Sequence, residues 1–164
     1  MKHGLAPWTI VSMLACAMPT AALADSIGIN SHVHCCPGTA YSLAIPPGST
    51  VLTYVSGAWN NHNPTGAWFG FVAVDIPALS LLLPLGTDEQ VGFASFLEAE
   101  AAAAGDQQII NNPTGTTVAA LLYVSDSCPQ GGYCGDNSGT VLIQASSPLP
   151  VHAASWGGVK ARYR

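Results

Sequence analysis

The apolar runs of this chain are short, and nearly all are stopped by glycine, proline or asparagine, which leaves room for strands and little else. Residues 41–45 form one such run, closed by Pro46-Pro47-Gly48. Residues 50–56 are β-branched and aromatic and read as a second strand. A polar loop carrying Trp59 leads to a third strand over 66–74, which contains Trp68, Phe69 and Phe71. Residues 79–83 read as a buried strand between Pro77 and Pro84, 91–97 as another, and 116–124 and 140–145 as the last two. Residues 109–115 lead into the strand at 116, and 25–38 read as irregular, ending in the turn Pro37-Gly38. The alanine-rich stretch 98–104 favours helix, but a segment so short is marginal alone, so a brief helical turn is expected. Seven or eight short strands with turns between them predict an all-β chain folded as an antiparallel, jelly-roll-like β-sandwich.

Residues 66–85 are mostly apolar and long enough to span a membrane, but Asp75 lies mid-window and Pro77 and Pro84 break a helix there. A charge at that depth costs about 3 kcal/mol, so alternating strands explain the run better and no transmembrane segment is expected. The chain opens with Lys2 and His3, an apolar run, and Ala22-Leu23-Ala24 before Asp25. That is the pattern of a secretory signal peptide cleaved after Ala24, which places the protein outside the cytoplasm, secreted or periplasmic. The organisation is then a signal peptide at 1–24, a Cys/His segment at 25–38, the sandwich at 39–146 and a loose tail at 147–164.

Charge is unevenly spread. All nine acidic residues lie beyond residue 24, yet from 25 to 159 there is no Lys or Arg. Lys160, Arg162 and Arg164 are too few to meet a phosphate backbone, which excludes nucleic acid as a partner. Carboxylates that share a loop in such a chain have no internal cation to pair with. They must be dispersed in water, protonated, or joined by a cation from solution.

Beyond the signal peptide the cysteines are Cys35, Cys36, Cys128 and Cys134, and an even number in a secreted chain favours disulfides. The preferred pairing is Cys128–Cys134, which closes a short loop and leaves Cys35–Cys36 as a vicinal bridge. The rival has both vicinal cysteines reaching across to 128 and 134. His32 and His34 beside Cys35 and Cys36 also suggest zinc or copper, but the spacing fits no established motif and an oxidising compartment takes the thiols.

The stretch from Leu121 to Val141 carries the functional signal. A strand ends near Val124, a loop rich in oxygen donors follows, and a second strand begins near Thr140. Asp126, Asp136, Asn137 and loop carbonyls converge if the loop folds back, as Gly131, Gly132, Gly135 and Gly139 permit. Hard oxygen donors on a tight loop suit Ca²⁺, which takes about six to eight of them. The bland alternative is an acidic, glycine-rich hairpin that binds nothing.

Tyr123-x-x-Asp126, followed by Gly135-Asp136-Asn137-Ser138-Gly139 leading into a strand, resembles the calcium loop of the bacterial galactose-specific soluble lectins. It is also similar to that of the broader group of secreted galactose-binding-like β-sandwich domains. Ile45-Pro-Pro-Gly-Ser-Thr-Val51 and Val55-Ser-Gly-Ala-Trp59 resemble the family's strand–turn–strand and Gly-Trp segments. The resemblance implies a calcium held by Asp126, Asp136 and Asn137, by the Tyr133 carbonyl, and by a carbonyl of the facing loop at His62. In the family, hydroxyls of the sugar complete the coordination shell. The loop between Asp126 and Gly139 is longer here, and the lectin's sugar-contacting His and Gln have no counterpart in 63–68. Calcium is thus the stronger implication and galactose the weaker.

Independently of the resemblance, a calcium ion with open positions accepts vicinal hydroxyls, and an aromatic ring beside it covers the apolar face of a sugar. Trp59, Trp68 and Tyr133 are the candidates, although either tryptophan serves equally well in the core. Gly-x-Ser-x-Gly, phosphate-cradling motifs and a lysine between 25 and 159 are missing, so an enzyme is not expected. Two readings remain. One is a lectin-like carbohydrate-binding or adhesion module. The other is an extracellular structural or matrix protein in which calcium only staples the sandwich. A homo-oligomer is compatible with either.

Overall fold

The computed structural model describes residues 25–61, 66–125 and 134–147. Among them the chain forms nine strands and one α-helix: β1 (Asp25–Asn30), β2 (Tyr41–Ile45), β3 (Gly48–Asn60), β4 (Trp68–Phe69), β5 (Phe71–Ile76), β6 (Leu81–Gly86), α1 (Phe96–Ala103), β7 (Gln107–Asn112), β8 (Val118–Tyr123) and β9 (Ser138–Ser146). One antiparallel sheet runs β1-β9-β3-β4, with β7 also paired to β3, and the other runs β2-β8-β5-β6. This is the expected all-β sandwich. No helix among the described residues is long and apolar enough to cross a membrane.

Period-two patterning builds the core. Val72, Val74 and Ile76 of β5 share one inner sheet face with Ala120 and Leu122 of β8 and Ile45 of β2, and the opposite sheet contributes Ile27, Ile29, Leu52, Tyr54, Val141 and Ile143, all buried. The long strand β3 changes phase partway. Its register against β9 shifts between Tyr54 and Ser56, so Val55 is an extra, exposed residue of a β-bulge. Before the bulge Leu52 and Tyr54 point inward; after it Trp59 does, at 1% exposure. Gly57 and Gly139 have positive φ and lie where β3 and β9 touch backbone to backbone, leaving no room for a Cβ.

Several expectations are corrected, among them the single strand over 66–74, which is two strands, β4 and β5, interrupted at Gly70. Residues 25–30 are a strand rather than irregular chain: Ile27 and Ile29 alternate with exposed residues, and the strand pairs with β9 along its length. The run 91–97 is not a strand. It contributes a single bridge at Phe93 to Trp68 and then enters α1, whose Ser95 hydroxyl accepts from the Glu98 N–H (3.3 Å). Residues 107–112 are a separate strand rather than a lead-in. Strand β6 starts later than expected, because Pro77–Leu79 forms a 3₁₀ turn, and Pro84 is tolerated because β6 lies at a sheet edge.

The helix is seated by specific contacts. Gly70 lies under Ala99 and Ala103, where a Cβ would strike the helix backbone. The Gly57 N–H, freed by the bulge geometry, donates to Glu100 Oε1 at 2.7 Å.

Candidate functional site

The loop between β8 and β9 springs from one pole of the sandwich, and the segment 31–36 braces it on both sides. On the β8 side the Val124 N–H donates to the His34 carbonyl (2.8 Å). On the β9 side Ser31 donates twice to the Gly139 carbonyl, from its N–H (3.1 Å) and its hydroxyl (3.0 Å). His34 is fixed in turn: burial lowers its pKa, and the neutral ring accepts from the Asn30 N–H at Nδ1 (3.2 Å) while packing edge-on against Tyr41.

A disulfide locks this arrangement. Cys35 is bonded to Cys134 with Cα atoms 5.7 Å apart, which corrects the expected Cys128–Cys134 bridge. Cys36 is disulfide-bonded as well, but not to its neighbour, since the two sulfur atoms are 3.7 Å apart. For Cys35, then, the cross-connected pairing holds. The Ser31–Gly139 contacts bring Cys134 beneath the N-terminal segment, so a long-range partner is nearer than the geometry of a local bridge allowed for.

Of the expected calcium ligands, Asp136 and Asn137 are described, and Asp126, Tyr133 and His62 lie outside the described residues. Asp136 is exposed. Asn137 is 4% exposed; its N–H donates to the Cys134 carbonyl (3.1 Å) and its Nδ2 to the Ser31 carbonyl (3.4 Å). Its Oδ1 is buried with no hydrogen-bond partner among the described residues. An enclosed amide oxygen of this kind loses free energy unless a donor or a cation meets it, and a hard cation fits it. No group of three or more His, Cys, Asp or Glu side chains converges among the described residues.

The facing loop is rooted beside this site. Asn60 ends β3 opposite both Ser138 and Trp68, and its Nδ2 donates to the Gly66 carbonyl, closing the base of the 61–66 loop. The end of β3 at Asn60 and the start of β9 at Ser138 therefore lie side by side.

The two tryptophans part company. Trp59 stacks on Phe69 (4.9 Å), packs edge-on against Phe71 (5.4 Å) and donates its Nε1–H to the Phe71 carbonyl (3.0 Å), so its ring is committed to the core. Trp68 is half-buried, packed edge-on against Phe96 at 5.4 Å, and stands at the loop pole. His32 is exposed, and with Cys35 and Cys36 oxidised the His/Cys set offers no thiolates to zinc or copper. Reading by residue type missed Ser31 and Asn60; a Ser or Asn bordering a strand end was the available signal. No family model, curated protein or solved structure matches the chain.

Proposed function

We propose that the protein is a secreted or periplasmic calcium-binding β-sandwich protein that serves as a lectin-like carbohydrate-binding or adhesion module. The observation that carries this reading is the buried Oδ1 of Asn137, without a hydrogen-bond partner among the described residues, beside Asp136 in a chain without Lys or Arg from 25 to 159. Asp126, Asp136 and Asn137 would hold the ion with backbone carbonyls at Tyr133 and His62, and Trp68 is the aromatic available to a galactose-type sugar. Calcium supplies charge neutralisation and open positions for vicinal hydroxyls; the chain's own contribution is a loop already fastened at both ends.

A galactose titration by calorimetry in excess Ca²⁺, repeated in EDTA, tests the sugar site. Heat of binding that appears only with calcium supports it, and none in either condition removes it. The burial of Trp59 favours a second reading, a structural or matrix protein in which calcium is only a staple, because one candidate sugar platform is occupied in the core. That reading expects calcium binding with no sugar heat. In both, Asp136→Ala abolishes the calcium-dependent rise in melting temperature, and an undiminished rise would refute Asp136 as a ligand.

A further inference from the structure

A second concavity lies at the same pole, a groove of about 270 Å³ between β5, β6, the turn after β6 and the end of β8. Its apolar lining includes Phe71, Ala73, Leu82 and Pro84, and Asp88 and Glu89 line it from the turn. Asp88 Oδ1 accepts from the Gln90 N–H (3.0 Å), which fixes the turn. Tyr123 forms part of the wall and is 7% exposed, yet its hydroxyl makes no hydrogen bond among the described residues. Burial, and then the charges of Asp75 and Glu89, raise the pKa of this phenol, so it stays protonated.

These features select a ligand. An anion would meet carboxylates with no cation to offset them, because the described residues contain no Lys or Arg. A purely apolar ligand would leave the Tyr123 oxygen unpaired. A protonated amine on a methylene stem satisfies both demands: its N–H groups are donors only, and the stem matches the apolar floor.

We propose that this groove binds a primary alkylammonium group, its stem on Phe71, Ala73 and Pro84 and its nitrogen donating to the Tyr123 hydroxyl and the carboxylates of Asp88 and Glu89. The group comes either from a free amine or from a lysine side chain of another polypeptide. The site needs no calcium, so it stands or falls separately from the lectin-like reading.

Amide chemical-shift titrations in EDTA test it, using n-butylammonium, butan-1-ol as the uncharged match, and Nα-acetyl-lysine N-methylamide as the peptide-borne form. Butylammonium should shift the amides of Ala73, Leu83 and Tyr123 saturably, while butan-1-ol leaves them in place. Tyr123→Phe should weaken binding about threefold to tenfold. The pair Asp88→Asn and Glu89→Gln, both at exposed positions that leave the fold intact, should weaken it about twofold to tenfold. Tighter binding of the lysine derivative supports a polypeptide source, and tighter binding of butylammonium supports a free amine. Equal binding of butan-1-ol, or wild-type affinity in the Asp88/Glu89 pair, overturns the proposal.

Discussion

Asn112 illustrates how a single side chain holds this sandwich together. It is 2% exposed and meets four partners: Nδ2 donates to the carbonyls of Ile45 (3.0 Å) and Thr116 (2.7 Å), and Oδ1 accepts from the Thr114 N–H (3.1 Å) and hydroxyl (2.8 Å). One amide thereby shapes the β7–β8 turn and ties it to β2 in the facing sheet. Asn112→Ala strands a buried carbonyl and should cost about 3 kcal/mol, measured by urea denaturation. His34 gives a pH signature. Its pKa is below the ordinary 6.5 because the ring is partly buried, so the folded state resists protonation. The stability it contributes is complete above that ordinary value and is lost as pH falls through the depressed one. Melting in EDTA should therefore show an acid-side decline that His34→Phe, which keeps the ring against Tyr41, reduces.

Among elements, α1 is the one most dependent on local detail. Ser95 caps it, Gly70 gives it a seat, and Glu100 ties it to the bulge in β3. Ser95→Ala should cost about 1 kcal/mol in chemical denaturation. Most strands were legible because a half-buried sheet writes period two into the sequence: β2 was bounded correctly, β8 and β9 nearly so, whereas the single strand expected over 66–74 is two, β4 and β5, broken at Gly70. The helix start was misread, although Ser95-Phe-Leu-Glu98 has the spacing of a capping box, because the apolar run before it suggested a strand. The Ile27–Gly28–Ile29 alternation of β1 was equally readable but sat beside the Cys/His segment and was absorbed into it. Trp59 was different. Its inward turn depends on the bulge at Val55, which sequence spacing does not reveal. In the candidate site, Asp136 and Asn137 were legible as donor types, whereas the burial of Asn137, whose Nδ2 donates to the distant Ser31 carbonyl, is a tertiary feature that sequence spacing does not reveal.

For the molecule as a whole, Cys35–Cys134 is a long-range fastening, joining residues 99 apart in sequence. Cross-links over so much chain chiefly restrict the unfolded ensemble. Removing it by Cys35→Ala with Cys134→Ala should cost about 2–5 kcal/mol in guanidinium unfolding, and calcium affinity should fall as the loop loses its brace. An unchanged affinity would mean that the hydrogen bonds from Ser31 and His34 suffice to hold the loop.

The register of β1 on β9 carries one more implication. Asp25 sits across from Ala145, whereas Asn30 sits across from Thr140, beside the loop pole. Residues 25 and 145 thus leave the sandwich side by side at the end farthest from that pole. Tethering the domain through either flank, to a bead, a fusion partner or a cell envelope, would point the loops away from the support. The same adjacency makes the fold a natural candidate for circular permutation.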